Sequence, residues 1–266
     1  MVAIGLGEVT HLEDGLAFGH GSHSAPLATC GKLWDVFETR ATLAKRRADV
    51  AQMFDGVAQR YDLMNDVMTF GLQRQWRRDT VEAVDPKPGD LILDLAGGTG
   101  TSAATFAEKG AEVFPTDLSL GMLRVGRERQ PGLQFVAGDA LQLPYADNTF
   151  DTVTISYGLR NVEDTLAALQ EMLRVTKAGG QVVICEMSHP TNKAFEFVYD
   201  RWLPRVIPAL SRISSNPAAY EYLFESVLTW KHQEELADLM AQAGWQAVGW
   251  RNLSQGIIAL HRGWKA

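Results

Sequence analysis

Polar groups in this sequence recur at one kind of place, directly after a short apolar run. Asp94 opens Asp94-Leu95-Ala96-Gly97-Gly98-Thr99-Gly100 after residues 91–93, and Asp117 follows residues 112–116. Asp139 lies in Gly138-Asp139-Ala140 after residues 133–137, and Ser156 closes residues 152–156. Glycines such as Gly97, Gly98 and Gly100 let a backbone approach a ligand closely and take positive φ. An acid in the place of Asp117 accepts hydrogen bonds from ribose hydroxyls. One in the place of Asp139 can accept from an exocyclic adenine amine. Asp94 can face a cationic amino group, or it can cap the helix that follows.

These residues leave two cofactors open. Gly98-Thr99-Gly100-Thr101-Ser102-Ala103 fits the G-x-G-x-x-A pattern of dinucleotide sites, a weak signal by itself. The acid after residues 112–116 serves NAD and S-adenosyl-L-methionine (SAM) equally. Asp94 tilts the reading toward SAM, because a carboxylate repels a pyrophosphate and attracts a methionine ammonium.

The elements that must position these groups alternate. Residues 91–95 form a nearly all-apolar run, as a strand buried on both faces should. Helices are expected over 101–109, 121–129 and 164–176, and strands over 112–116, 133–137, 152–156 and 181–186, with Gly179-Gly180 as a turn. This β/α rhythm predicts a doubly wound, mostly parallel sheet whose strand ends converge on one crevice. Upstream, Val50, Met53, Phe54, Val57 and Tyr61 recur at helical spacing within a pattern that begins near Ala41, and a second helix is expected over 73–84. Residues 191–231 break the rhythm and read as a helical insertion after the fifth strand. A helix over 233–243 and two strands over 245–252 and 256–262 close the chain as an antiparallel hairpin.

Composition bounds the function. The chain has 266 residues, 46% hydrophobic and 21% charged, which is ordinary for a globular protein. A net charge of −7 argues against unspecific nucleic-acid binding, which needs a basic surface. Two cysteines, Cys30 and Cys185, make neither a disulfide framework nor a CxxC metal site, and they suit a reducing cytoplasm. No apolar run reaches the roughly 18 residues of a membrane span. Residues 1–40, with Gly19-His20-Gly21-Ser22-His23-Ser24, read as a disordered tail ahead of a single domain at 41–266. His11, His20 and His23 are read as part of that loose tail or of an upstream start, in preference to a metal site. The acidic residues Glu8, Glu13 and Asp14, with no basic start, do not fit a signal peptide. No metal is expected.

At this point the chain resembles a known family. Asp94-Leu-Ala-Gly-Gly-Thr-Gly100 is similar to motif I of class I SAM-dependent methyltransferases. More narrowly, Met53-Phe-Asp-Gly-Val-Ala-Gln-Arg-Tyr61-Asp62-Leu-Met-Asn65-Asp66, Ile155-Ser156-Tyr157-Gly158-Leu159-Arg160-Asn161-Val162 and Asn252-Leu-Ser-Gln-Gly256-Ile-Ile-Ala-Leu-His261-Arg-Gly263 resemble signatures of the UbiE/MenG family. These are the C-methyltransferases of ubiquinone and menaquinone synthesis, and the resemblance covers about residues 48–265. Cys185-Glu186-Met187-Ser188-His189-Pro190-Thr191-Asn192 and Ser214-Ser215-Asn216-Pro217-Ala218-Ala219-Tyr220 resemble its menaquinone branch. The resemblance implies a Rossmann-like domain with a seven-stranded sheet and a helical N-terminal cap. It implies SAM contacts at Thr99, Asp117, Asp139, Ala140 and Ser156, and a prenylated quinol as the methyl acceptor. Thr101, Ala178, Met187 and Gln255 depart from the usual family residues, and Gln255 bears on acceptor specificity.

The implied reaction needs an aligned ring carbon and removal of a phenolic proton. Arg160 and Asn161 follow the fourth strand. Arg160 stays protonated and is a poor base, so it is expected to stabilise phenolate charge or polarise a water. Asn161 can orient a ring oxygen. Tyr61 and Asp62 come from the helices expected to cover the site, with packing and capping as the alternative. His189 can take the proton or be a loop histidine, and His261 is expected to be packed. The aromatic and basic residues of 191–231, among them Phe197, Trp202 and Arg201, line a core, hold a prenyl tail or touch a bilayer surface. A homo-oligomer is open. The rival readings are an NAD-linked oxidoreductase, a non-catalytic SAM-binding subunit, and methylation of a benzoquinol or another phenol.

Overall fold

The computed structural model describes residues 47–60, 62, 65–66, 69–193, 195, 197, 201, 222 and 225–266. Its frame is a seven-stranded sheet in the order β3-β2-β1-β4-β5-β7-β6. The strands are β1 (Leu91–Leu95), β2 (Glu112–Asp117), β3 (Val136–Ala137), β4 (Phe150–Ser156), β5 (Thr176–Met187), β6 (Gln246–Leu253) and β7 (Ile258–Trp264). β1 to β5 pair in parallel, and β7 lies antiparallel between β5 and β6. The helices are α1 (Arg47–Val57), α2 (Leu72–Val84), α3 (Thr101–Ala107), α4 (Leu120–Arg129), α5 (Thr165–Val175) and α6 (Gln233–Ala243).

Each expected strand is present, because an apolar run with helices on both sides has nowhere to go but a sheet interior. One buried cluster joins Leu93, Val153, Ile184, Leu169 and Met240 on one face. Another joins Ile92, Phe106, Val183 and Trp76 on the opposite face. Ser119 caps α4 by accepting from the Met122 amide, and Asp164 caps α5 by accepting from Ala167.

Several boundaries differ from the sequence expectation. The third strand pairs only at Val136–Ala137, not over 133–137. At Gly179-Gly180 the pairing with β4 breaks register, Phe150 facing Thr176 and Thr152 facing Gln181, and Gly179 takes a φ of 77°, so the expected turn is a bulge inside β5. The Gly179 amide donates to the Lys265 carbonyl and the Lys265 amide to that of Gly180, so the chain's far end extends the ladder over the glycines. The last two strands begin one and two residues later than expected, with a 3-10 turn at Ser254–Gly256 between them. In the insertion, Lys193, Phe195, Phe197, Arg201, Tyr222 and residues 225–228 are helical. The rest of 194–224, including Trp202, lies outside the described residues, as do the tail at 1–40, its histidines and Tyr61.

Candidate active site

β1 has β2 on one side and β4 on the other, so the chain order reverses there and a crevice opens at the carboxyl ends of the strands. The cleft at that point encloses about 860 Å³ counting its open mouth. Gly98, Asp117, Asp139, Ala140, Ser156 and Asn161 all line it. One wall comes from α1, through Val50, Ala51 and Phe54. Of the strand-end residues singled out by spacing, Asp117, Asp139 and Ser156 therefore meet.

Asp117 is held for binding. Its Oδ2 accepts from the Gly98 amide at 2.9 Å and its Oδ1 from the Ser119 amide at 2.8 Å. Burial raises its pKa above the ordinary carboxylate value, and these amides oppose the rise. Asp139 Oδ1 accepts from the Leu141 amide at 2.9 Å, which fixes the loop after β3. The glycine loop is tight where it must be. A Cβ on Gly97 would lie 2.8 Å from the Asp94 carbonyl oxygen, and one on Gly100 (φ 77°) 2.6 Å from Phe135.

Two carboxylates fasten α1 over this cleft. Asp55 Oδ1 accepts from the Ser119 hydroxyl at 2.5 Å and the Gly121 amide at 2.7 Å, at the start of α4. Asp62 Oδ2 accepts from the Thr99 hydroxyl at 2.8 Å and from Arg129 at 2.7 Å. Asp55 escaped the sequence reading, although a charged residue inside the apolar repeat around Phe54 was the available signal.

Asp94, Gly97, Thr99 and Gly100 flank Gly98 in the same loop but are not among the residues that line the cleft. Asp94 is only 1% exposed, and the nearby backbone amide of Ala103 at the start of α3 favours its ionised form. Its Oδ2 has no partner among the described residues. Burial first, and the charge of Asp117 second, push its carboxyl up to about 7. No side-chain hydrogen bond caps α3, so the helix-capping alternative finds no support there.

Arg160 sits in the 3-10 turn Leu159–Asn161 beyond β4, buried and not on the cleft surface. Its guanidinium donates to Glu186 Oε1 at 2.7 Å and to the Tyr157 carbonyl, while its amide donates to Glu186 Oε2 at 3.2 Å. Glu186, at the end of β5, is fully buried. It was missed because it reads as one polar residue in an apolar strand; its sequence distance from Arg160 hides the pair. Tyr157, between the two strands, takes a left-handed φ of 57° and lines the cleft. Asn161 presents an Oδ1 that has no partner among the described residues.

His189 is not brought to the cleft. Its Nε2 meets the Trp230 carbonyl at 2.8 Å and its ring stacks on His232 at 4.0 Å. A carbonyl only accepts, so that nitrogen carries the proton and cannot take another. His261 is packed, with Nε2 on the Gln233 carbonyl at 2.9 Å, and burial lowers its pKa. No group of three or more His, Cys, Asp or Glu able to hold a metal occurs among the described residues.

Comparison with known proteins follows this geometry. The profile of the ubiE/COQ5 methyltransferase family matches residues 41–265. A demethylmenaquinone methyltransferase of Streptomyces avermitilis is 57% identical over 229 residues, 86% of this chain and 99% of that protein. One of Mycobacterium marinum is 53% identical over 228 residues, 85% and 98% of the two chains. Among solved structures, a SAM-dependent methyltransferase of Thermotoga maritima superposes with a TM-score of 0.60 at 18% identity, covering 81% of this chain and 99% of its own. A Haemonchus contortus phosphoethanolamine N-methyltransferase bound to SAM does so with 0.52 at 18% identity, over 72% and 52%. These structural likenesses speak for the fold. The chain belongs to the ubiE/COQ5 methyltransferase family.

Proposed function

We propose that residues 41–266 act as one catalytic domain that transfers a methyl group from SAM to a ring carbon of demethylmenaquinol. What carries the acceptor is the identity of more than half of the aligned residues with demethylmenaquinone methyltransferases, over nearly their whole length. What supports the cofactor is the cleft. The loop at Gly97 leaves no room for a side chain, Asp117 offers amide-anchored oxygens to a ribose, and Asp139 with Ala140 borders the place for an adenine. Gly98 and Thr99 would hold the methionine end, with Ser156 at the end of β4 beside it. The unpartnered oxygen of Asp94 is a further fit to a cationic amino group.

When bound, SAM supplies an electrophilic methyl carbon on a sulfonium. The chain's own residues do the rest by orientation and charge. Asn161 lines the cleft and can hold a ring oxygen. Arg160 lies immediately behind, already balanced by Glu186, and stabilises negative charge growing on that oxygen by its field. Tyr61, which lies outside the described residues, is kept in the same reading as a further candidate for orienting the acceptor. A prenylated acceptor suits a cytoplasmic protein that touches the bilayer at the insertion, where Phe197 is 58% exposed under the Arg201 guanidinium. No helix among the described residues is long and apolar enough to cross a membrane.

The test is turnover with labelled SAM on reduced demethylmenaquinol and, in parallel, on a reduced benzoquinol lacking the same methyl group. Transfer to the naphthoquinol, reduced at least tenfold in Arg160→Ala, is the expected result. Transfer only to the benzoquinol would overturn the acceptor and leave the cofactor standing.

A further inference from the structure

The 3-10 turn beyond β4 fixes one of its side chains in a single sense. Tyr157 takes a left-handed φ of 57°, uncommon for an aromatic residue. Its carbonyl accepts from the Arg160 guanidinium and from Asn161 Nδ2, the latter at 3.4 Å. The Asn161 main-chain amide is spent on the Gly158 carbonyl at 3.0 Å. A carbonyl only accepts, so the side-chain nitrogen of Asn161 must be the atom that faces Tyr157, and its oxygen is left over. That oxygen is buried and has no hydrogen-bond partner among the described residues, in a residue that lines the cleft. Buried polar groups in folded chains are normally paired, and an unpaired one destabilises the fold. An acceptor kept unpaired beside a binding cleft is suited to a donor on the ligand.

This inference rests on the quinol reading above. We propose that Asn161 Oδ1 accepts a hydrogen bond from a ring hydroxyl of the acceptor and so makes the site selective for the quinol over the oxidised quinone. The two redox forms share a ring skeleton and a prenyl tail and differ at the ring oxygens. A quinol hydroxyl donates, whereas a quinone carbonyl only accepts. Against a fixed acceptor the hydroxyl completes the pair, while the carbonyl sets two oxygens face to face and leaves both unpaired. An amide free to turn over would serve either form, by offering its nitrogen to the carbonyl. The Tyr157 carbonyl removes that freedom. The selection is useful because the oxidised ring is electron-poor and cannot attack a methyl group, so a bound quinone would only block the cleft. A neutral amide oxygen does not take the proton itself. Its hydrogen bond draws the O–H electrons toward the ring oxygen, in the same sense in which the charge of Arg160 acts.

The test measures how the two redox forms bind the full chain saturated with S-adenosylhomocysteine, a state in which no methyl can be transferred. Demethylmenaquinol with a short prenyl chain, held reduced without oxygen, and the same compound oxidised are titrated by calorimetry into the parent and into Asn161→Ala. The parent should bind the quinol about 10- to 100-fold more tightly than the quinone, the worth of one buried hydrogen bond. The variant should bind the two forms within about threefold of each other, with the loss falling on the quinol. Its S-adenosylhomocysteine affinity and melting temperature should match the parent's. A parent without preference, or a variant that keeps it, sinks the proposal. So does an equal loss for both forms with a lower melting temperature, which would make the side chain structural, and so does a loss of S-adenosylhomocysteine affinity, which would assign the oxygen to the cofactor. Methyl transfer by the parent is followed separately. Transfer to demethylmenaquinol without any redox preference in binding refutes this inference alone, whereas no transfer refutes the acceptor reading and this inference with it.

Discussion

Asp94 offers a perturbation whose sign and size follow from the structure. Unfolded, its carboxyl releases a proton near the ordinary 3.8, and folded only at about 7. Between those values the folded chain holds a proton that the unfolded chain has lost. Rising pH therefore destabilises the ligand-free fold, by an amount that is zero below the lower value and complete above the higher one. At about 1.4 kcal/mol for each pH unit, the gap between 3.8 and about 7 amounts to about 4 kcal/mol. Asp94→Asn keeps the side chain's size and cannot ionise. Urea unfolding of parent and variant, from about pH 4 to about pH 8, should show the variant gaining on the parent by about 4 kcal/mol across the range. Any fixed cost of the new amide offsets both ends equally, so the slope is the readout. Two parallel stability curves would refute the reasoning, since Asp94 would then be as easily ionised folded as unfolded.

Asp117→Ala removes an acceptor that two amides hold in the cleft wall, and SAM affinity measured by calorimetry should fall about 10- to 100-fold, as for hydrogen bonds to a charged group. Glu186→Ala leaves the Arg160 guanidinium buried without its counter-charge. Denaturant unfolding should report a loss of about 3–5 kcal/mol, while Glu186→Gln, which keeps a hydrogen-bonding oxygen, should lose clearly less. Asp55→Ala frees α1 from the start of α4, and stopped-flow dissociation of S-adenosylhomocysteine should become faster with little change in turnover at saturating SAM.

The sheet was legible because the central strands are apolar runs, nearly unbroken at Leu91–Leu95 and continuous at Val182–Cys185. Where pairing depends on a distant partner, the local signal fails. Gly179 and Gly180 read as a turn before the fifth strand, but they form a bulge inside β5 that Lys265 pairs with. The same division holds in the site. Asp117, Asp139, Ser156 and Asn161 could be placed together because a doubly wound sheet sends its strand ends to one crevice. The order of β7 between β5 and β6, by contrast, decides which residues surround the end of β5, and no spacing announces it. Glu186 went unnoticed because its partner Arg160 lies 26 residues away, and His189 looked available because Trp230 and His232, which occupy it, are also distant in sequence. Asp94 was read for its charge, whereas its burial and the neighbouring Asp117 raise its pKa. The dinucleotide alternative left open by the glycine loop is removed by membership of a methyltransferase family.

The central claim is methylation at carbon on a quinol ring, and the fate of an isotopically labelled methyl group tests it most directly. SAM labelled at that methyl is incubated with the protein and reduced demethylmenaquinol, and the product is examined by carbon NMR. A labelled methyl resonating as an aryl carbon substituent of menaquinol is the predicted result. Label appearing as a methoxy signal, or remaining on SAM while the protein binds it, would contradict the account.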